Sequence, residues 1–333
     1  KARPMPVHLR PPTRRPWGAL AVGLLAALAS ACSPLGAIDT LTAYDAGATK
    51  VVDGAAYGPA ARQRLDVYAP EGAAGGDAAD GGVPVVVFVY GGSWASGDRR
   101  HYGFLGHALA ARGFVAVLPD YRLVPEVSYP AFVEDAAAAV RWARANAARH
   151  GGDPRRLAVA GHSAGAYNAL MLATDPRYAD PDSPDHLPLD AAVGLAGPYD
   201  FLPLDVRATR RAFGAAPDLP ATQPVKIVTG DGPPLLLAHG ADDTTVRPAN
   251  SRALAKAARA QGREVTLNVY PGTGHAGLLL AVSRLFRGDP PVLADVTAFL
   301  RRELAAGGDA REACATDLRR RARYPGRCVR PSP

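Results

Sequence analysis

Gly161-His162-Ser163-Ala164-Gly165 lies between two apolar runs of different length. The run Leu157–Ala160 before it is short enough for a buried strand, whereas Ala166–Ala173 after it is rich in Ala and Leu and predicts a helix. A strand that passes directly into a helix needs a tight turn, and side chains at the two glycine positions would collide with neighbouring elements. The sequence therefore predicts a strained turn that exposes the hydroxyl of Ser163.

Two adjacent carboxylates are candidates to support this serine. A serine hydroxyl acts as a nucleophile when a histidine takes its proton and a carboxylate orients that histidine. For a serine on a strand-to-helix turn of this kind, the typical order along the chain is serine, acid, histidine. The apolar run Leu235–Ala238 leads into a loop that holds Asp242 and Asp243. We prefer Asp243 as the acid: it stands four residues after His239 and three before Val246, a spacing that resembles the H-G-x-x-D-x-x-V loop of known hydrolases. Asp242 is the alternative.

The candidate base is His275, which follows the predicted strand Val265–Val269 on a Gly-rich loop. Its position after the acid gives the expected order. The other histidines occur in the N-terminal leader or in helical and loop contexts without a partner pattern. We expect His162 to point away from the base and His239 to shape the acid loop.

A second Gly-rich turn predicts the groups that stabilise a developing negative charge. The run Val83–Val89 is continuously apolar, as in a parallel strand that is covered on both faces. It ends in Tyr90-Gly91-Gly92-Ser93-Trp94, where glycine lets backbone N–H groups turn toward an oxyanion. The predicted donors are the N–H groups of Gly92, Ser93 and Ala164, the residue after the serine.

These motifs carry a family resemblance. Tyr90-Gly91-Gly92-Ser93-Trp94, a following Gly97-Asp98, and Asp120-Tyr121-Arg122-Leu123 join the Ser163 turn in the expected order. The chain resembles the esterase branch of the α/β-hydrolase superfamily that includes hormone-sensitive lipase, carboxylesterases, kynurenine formamidase and prenylcysteine methylesterase. The resemblance covers about residues 60–305. The chain departs from the family pattern at Tyr90, where the family has a histidine that holds the oxyanion loop.

The resemblance implies a serine esterase that cleaves small or medium carboxylic esters without a cofactor. It also leaves two alternatives. An amidase or formamidase would use the same Ser163, Asp243 and His275. A non-catalytic binding protein on the same scaffold would carry a broken triad, and here all three residues are present.

Alternating strand and helix patterns predict an α/β fold: an α/β-hydrolase with a mostly parallel, doubly wound sheet and helices on both faces. The predicted strands are Leu65–Tyr68, Val85–Val89, Phe114–Leu118, Leu157–Ala160, Ala191–Leu195, Leu235–Ala238 and Val265–Val269. The predicted helices are Phe104–Arg112, Phe132–His150, Ala164–Ala173, Ala249–Gln261 and Pro291–Leu304.

Residues 200–232 are too long for an ordinary connection. They form either a small lid over the site or a loose surface insertion. Tyr199, Phe201, Leu202 and Phe213 are the apolar candidates for an acyl or alcohol pocket.

The N-terminal segment predicts export. Residues 1–32 have a basic start, an apolar run from 19 to 29 and then small residues, as in a secretory signal. Ala29-Ser30-Ala31-Cys32 resembles a lipobox, so Cys32 is either a lipidated membrane tether or lies near an ordinary cleavage site. The expected location is periplasmic or extracellular. Residues 33–59 are interpreted as a linker to the catalytic domain, residues 60–305.

Charge and cysteine usage narrow the partners. The net charge is +7, of which five positive charges lie in residues 1–31, and another basic cluster lies in the tail, residues 306–333. Neither forms a basic module with interleaved aromatic residues, so we expect no nucleic-acid partner. Cys314 and Cys328 of the tail either pair in an oxidising compartment or stay free. No metal-spaced His/Cys cluster occurs in the sequence, so no metal is expected.

Overall fold

The computed structural model describes residues 39, 43–73, 82–180 and 182–305. Within these ranges, eight strands form one sheet in the order β1-β2-β4-β3-β5-β6-β7-β8. The strands are β1 (Ala48–Ala56), β2 (Arg64–Pro70), β3 (Val83–Val89), β4 (Val115–Pro119), β5 (Gly152–His162), β6 (Ala191–Leu195), β7 (Leu235–Gly240) and β8 (Val265–Tyr270).

The sheet is parallel from β4 to β8, and only β1 and β2 at one edge run antiparallel to their neighbours. All residues of β4, β6 and β7 are buried. Such continuously apolar strands are stable only when both faces of the sheet are covered. The predicted mostly parallel, doubly wound sheet is confirmed.

Helices cover the sheet on both faces. On one face, Val193 and Leu195 of β6 meet Leu300, while on the other a Cβ added to Gly194 would lie 2.8 Å from Cδ2 of Leu170. The helices are α1 (Gly103–Ala110), α2 (Ala131–Asn146), α3 (Ala164–Thr174), α4 (Pro176–Ala179), α5 (Arg207–Phe213), α6 (Pro224–Ile227), α7 (Ala249–Ala260), α8 (His275–Leu280) and α9 (residues 292–305).

The linker predicted over residues 33–59 is wrong for its second half. Residues 48–56 form β1, which pairs antiparallel with β2. Only the first residue of β1 is fully buried, so this edge strand lacks the apolar run that revealed the inner strands. Before it, Oδ1 of Asp39 accepts a hydrogen bond from the Phe104 N–H at 2.7 Å. The folded domain therefore begins before residue 60.

The predicted strand Ala191–Leu195 occurs with unchanged boundaries, and the other predicted elements occur with shifted ones. The largest shifts are in β5, which begins at Gly152 instead of residue 157, and in α2, which ends at Asn146 and continues as a 3-10 turn to His150. Among the described residues, no helix has both the length and the apolarity to cross a bilayer. Cys32, Cys314 and Cys328, with the leader and the tail that hold them, lie outside the described residues.

Candidate active site

Ser163 stands between the end of β5 and the start of α3. Its dihedral angles are φ 54° and ψ −123°, a strained conformation for a residue with a side chain. Its N–H donates to the carbonyl oxygen of Leu195 at 2.8 Å, which ties the turn to β6. The hydroxyl thus lies at the carboxyl ends of the parallel strands, where ligand sites of such sheets form.

Steric limits explain the two glycines of the turn. A Cβ on Gly165 would lie 2.1 Å from the carbonyl oxygen of Val89, and one on Gly161 would lie 2.3 Å from that of Gly165. Both distances are shorter than side-chain contacts permit, and the opposing atoms belong to the backbone, so neither position accepts a larger residue without moving β3, β5 or α3.

His275 joins the serine to a carboxylate. Its Nε2 lies 2.9 Å from Oγ of Ser163, and its Nδ1 lies 2.7 Å from Oδ2 of Asp243. His275 is the first residue of α8 and not part of the loop before it. Its side chain is 18% exposed, whereas that of Asp243 is fully buried. The structure thus brings the three residues named from the sequence into one hydrogen-bonded chain.

A tight turn fixes Asp243 in place. Its Oδ1 accepts hydrogen bonds from the N–H groups of Thr245 and Val246, each at 2.9 Å. Oδ2 is thereby left to face His275. Asp242, the alternative acid, is exposed, and its backbone N–H donates to the carbonyl oxygen of Thr273. The carboxylate of Asp243 is therefore the one that contacts the base.

The turn after β3 approaches the serine through its backbone. Gly92, Ser93 and Trp94 all have positive φ angles, of 127°, 54° and 56°. Ser93 borders the same cleft as Ser163 and Ala164. Among the described residues, none accepts a hydrogen bond from the N–H of Gly92, Ser93 or Ala164.

Tyr90, where the family pattern has histidine, anchors this turn. Its hydroxyl accepts a hydrogen bond from Arg62 and donates one to Oδ1 of Asp120, each at 2.8 Å. Asp120 also accepts from the backbone N–H of Arg99 at 2.8 Å. Because one carboxylate holds Tyr90 and Arg99, both ends of the segment 90–99 are fixed to it. Burial and the neighbouring Tyr121 and Asp120 raise the pKa of Tyr90 far above its usual range, so the phenol stays protonated.

The expectation that His162 points away from the base is wrong. The rings of His162 and His275 lie 4.9 Å apart, and Nε2 of His162 is 3.2 Å from the carbonyl oxygen of His275. Since a carbonyl only accepts, the nitrogen donates. Burial, with a smaller contribution from His275, lowers the pKa of His162 to about 3, so its ring is neutral at neutral pH. The sequence held no signal for this contact across 113 residues.

A cleft of about 610 Å³ opens above Ser163. One wall comes from residues 198–209, the other from the acid loop and the start of α7. The apolar lining includes Trp94, Phe201, Leu202 and Val206, and the polar lining includes Thr209, Thr244, Thr245, Arg247 and Asn250.

Residues 200–209, the first part of the segment 200–232, border the cleft, and Phe213, Thr222 and Gln223 farther along it are buried. Of the four apolar candidates, Phe201 and Leu202 line the cleft. Tyr199 and Phe213 do not, because both are fully buried in the core. Phe213 packs edge-on against Trp94 at 4.8 Å between ring centroids. Within the described ranges, no group of three or more His, Cys, Asp or Glu side chains is arranged to hold a metal ion.

A mostly parallel sheet with a serine at the turn after its fifth strand is the fold of the α/β-hydrolases. Comparison with known families gives a narrower assignment. The family model described as BD-FAE matches residues 65–258, and the chain belongs to this family. The model of the prolyl oligopeptidase family matches residues 214–306. The resemblance to α/β-hydrolase esterases is confirmed.

Curated relatives and solved structures agree with this assignment. Esterase LipC of Mycobacterium tuberculosis is 33% identical over 247 residues, which are 68% of this chain and 60% of LipC. Isoprenylcysteine alpha-carbonyl methylesterase ICME of Arabidopsis thaliana is 30% identical over 245 residues, 67% of this chain and 56% of ICME. The chain thus spans little more than half the length of these relatives. Native Est2, an esterase of Thermogutta terrifontis, superposes with a TM-score of 0.59 at 26% identity, covering 78% of this chain and 91% of Est2.

Proposed function

We propose that the protein hydrolyses carboxylic esters through an acyl-enzyme formed on Ser163. The observation that carries this proposal is the chain of hydrogen bonds from Oγ of Ser163 through His275 to Asp243, 2.9 and 2.7 Å long. Asp243 orients the imidazole, which takes the serine proton as Oγ attacks the ester carbonyl. His275 then gives this proton to the leaving alcohol, and water cleaves the acyl-enzyme by the same route.

The oxyanion of each tetrahedral intermediate would be held by backbone N–H groups. Those of Gly92, Ser93 and Ala164 are the candidates, because the positive φ angles at 92 and 93 turn that backbone beside the serine. Loss of one such donor costs about 3 kcal/mol of transition-state stabilisation. The anchoring of segment 90–99 by Asp120 supports a preorganised site, since donors fixed in advance do not have to reorient during the reaction.

The substrates are proposed to be esters with short or medium acyl chains. The cleft is large enough for such a group, and Phe201 closes it toward the core. Est2 of Thermogutta terrifontis has been solved with propionate and with butyrate bound. Amides are a second substrate class to test, because the match to the prolyl oligopeptidase family covers residues 214–306, which include Asp243 and His275.

The test is hydrolysis of p-nitrophenyl acetate, butyrate and octanoate by the protein and by Ser163→Ala, beside the matched p-nitroanilide amides. Turnover of esters that is lost in Ser163→Ala supports the proposal. Turnover of anilides alone would favour the amidase. Equal ester hydrolysis in both proteins would overturn the assignment of Ser163.

Export and lipid anchoring at Cys32 form a separate proposal. Its support is the basic, apolar and small-residue order of residues 1–32 and the lipobox-like Ala29-Ser30-Ala31-Cys32. Palmitate labelling in a bacterial host tests it. Label that is incorporated into the chain and lost in Cys32→Ser supports the tether, whereas unlabelled, secreted protein supports ordinary cleavage.

A further inference from the structure

A second buried histidine flanks the acid and has no part in the proton transfers described above. The side chains of His239 and Asp243 are both fully buried, with Nε2 of His239 3.3 Å from Oδ2 of Asp243. The same Oδ2 accepts the hydrogen bond from Nδ1 of His275, at 2.7 Å. One carboxylate oxygen therefore lies between two imidazoles, one of which also contacts Ser163.

The neighbours of His239 assign its protons. Nε2 lies 2.7 Å from the carbonyl oxygen of Val246, which can only accept, so Nε2 carries a hydrogen. Nδ1 lies 2.7 Å from Oγ of Ser251 in α7. Burial lowers the pKa of His239, so the ring is neutral and Nδ1 accepts the hydroxyl proton of Ser251. The Val246 carbonyl thereby selects the tautomer that presents an N–H to the acid loop, and the Ser251 hydroxyl holds the other ring nitrogen in place.

This N–H completes the turn that holds the acid. The N–H groups of Thr245 and Val246 bind Oδ1 of Asp243 from inside the turn. From outside the turn, His239 donates a hydrogen bond to the Val246 carbonyl, and its Nε2 contacts Oδ2 of Asp243. The turn is thus held at both of its ends. Oδ2 accepts its hydrogen bond from His275, and the Nε2–H of His239, which is bonded to the Val246 carbonyl, lies 3.3 Å from the same oxygen as a weaker electrostatic partner.

We propose that His239, held between the Val246 carbonyl and the Ser251 hydroxyl, is a positioning residue that fixes Asp243 and moderates the strength of its hydrogen bond to His275. This inference rests on the proposed function of the site. Removal of the N–H would concentrate the charge of Oδ2 on His275 and stabilise the imidazolium. The histidine would then hold its proton to higher pH.

The charged and titratable groups that face this site come from three elements. They are Asp243 on the acid loop, His275 at the start of α8, and His162 at the end of β5. His162 stays neutral at neutral pH, as its lowered pKa requires. The acid limb of the pH profile of kcat/KM therefore reports the protonation of the base.

The experiment compares His239→Leu, which lacks an N–H, with His239→Gln, whose amide can donate from nearly the same place. In His239→Leu we expect kcat to fall about tenfold with little change in KM. The acid limb should move to higher pH by about half a unit, because hydrogen bonds to charged groups shift titration by this order. His239→Gln should restore most of both quantities.

Ser251→Ala keeps the imidazole and tests the same idea if His239→Leu fails to fold. It should move the acid limb in the same direction by a smaller amount. Ser283→Ala is the matched control, since this fully buried hydroxyl donates to the Leu280 carbonyl and has no hydrogen bond with a described residue of the site. The acid limb of its pH profile of kcat/KM should match that of the wild type.

A readout without turnover separates this inference from the proposed function. The downfield proton resonance of His275 Nδ1–H should move further downfield in His239→Leu and in Ser251→Ala, whether or not esters are cleaved. The positioning role would be overturned if the resonance and the acid limb of His239→Leu and of Ser251→Ala matched those of the wild type. It would also be overturned if kcat fell equally in His239→Leu and His239→Gln. Ester hydrolysis that persists in Ser163→Ala would instead overturn the proposed function.

Discussion

The hydroxyl of Tyr90 donates a hydrogen bond to Oδ1 of Asp120 at 2.8 Å. The aromatic ring also fills the space above Gly97, where a Cβ would lie 2.3 Å from Cε2 of Tyr90. Tyrosine in place of the family histidine thus holds segment 90–99 by both its hydroxyl and its ring. The anchor of the turn after β3 thus differs chemically from the family pattern, while Gly92 and Gly97 take the positive φ angles, 127° and 123°, that favour glycine.

Tyr90→Phe should lower the free energy of unfolding by about 1–2 kcal/mol, because it removes the two hydrogen bonds that the buried hydroxyl makes with Asp120 and Arg62. Urea denaturation measures this change. Tyr129→Phe is a matched control, since no described residue hydrogen-bonds the hydroxyl of Tyr129, and it should cost less than about 0.5 kcal/mol. Equal stabilities of the two variants would contradict the anchoring role.

The pair of adjacent carboxylates gives a sharp test of the acid. Asp243→Asn should lower kcat by about 10³–10⁴-fold, because an amide cannot hold the imidazole in the reactive tautomer and stabilise its charge. Asp242→Asn changes the same atoms on an exposed side chain and should alter kcat less than about twofold. Steady-state hydrolysis of p-nitrophenyl butyrate measures both. Comparable losses would show that the turn, and not Oδ2 of Asp243, matters.

The buried ring of His162 predicts a pH-dependent stability. Its pKa is lowered from the ordinary 6.5 to about 3, so between these values the unfolded chain binds a proton that the folded chain does not. The stability contributed by the neutral ring is complete above pH 6.5 and falls by up to about 1.4 kcal/mol per pH unit as the pH drops toward 3. Denaturation at several pH values should show a smaller slope in His162→Gln. An unchanged slope would refute this origin.

Phe201 is predicted to limit the acyl chain. It lines the cleft and packs on Phe213 with 4.9 Å between ring centroids, so Phe201→Ala would extend the cleft toward the core. The ratio of kcat/KM for octanoate to that for butyrate should rise about tenfold. Phe286→Ala removes an exposed ring outside the cleft lining and should leave this ratio unchanged.

The sequence predicted much of this fold because the inner strands are apolar on both faces and the turn around Ser163 requires small residues. It also supplied Ser163 and His275, since the order along the chain restricts the candidates. Between Asp242 and Asp243 the choice rested on spacing, and only the turn geometry shows which carboxylate is buried against the base. The edge strand β1 was missed because its side chains are mostly half exposed and carry no apolar run.

The sequence indicated that His239 shapes the acid loop, but the individual contacts of His162 and His239 could not be predicted from it, for a different reason. Each depends on backbone carbonyls, of His275 and Val246, and a carbonyl oxygen belongs to every residue alike. The prediction of the residues that line the cleft was partly wrong for a similar reason. Phe201 and Phe213 are equally apolar, and which one faces the cleft depends on how the segment 200–232 packs against Trp94 and Tyr167.

If Ser163 carries the acyl group, the acyl-enzyme can be trapped during turnover. The protein is mixed with p-nitrophenyl butyrate, quenched in acid within the first turnovers, digested and analysed by mass spectrometry. We predict a burst of p-nitrophenol close to one equivalent and a butyryl group on Ser163, both absent in Ser163→Ala. A butyryl group on another residue, or a burst that persists in Ser163→Ala, would contradict the mechanism.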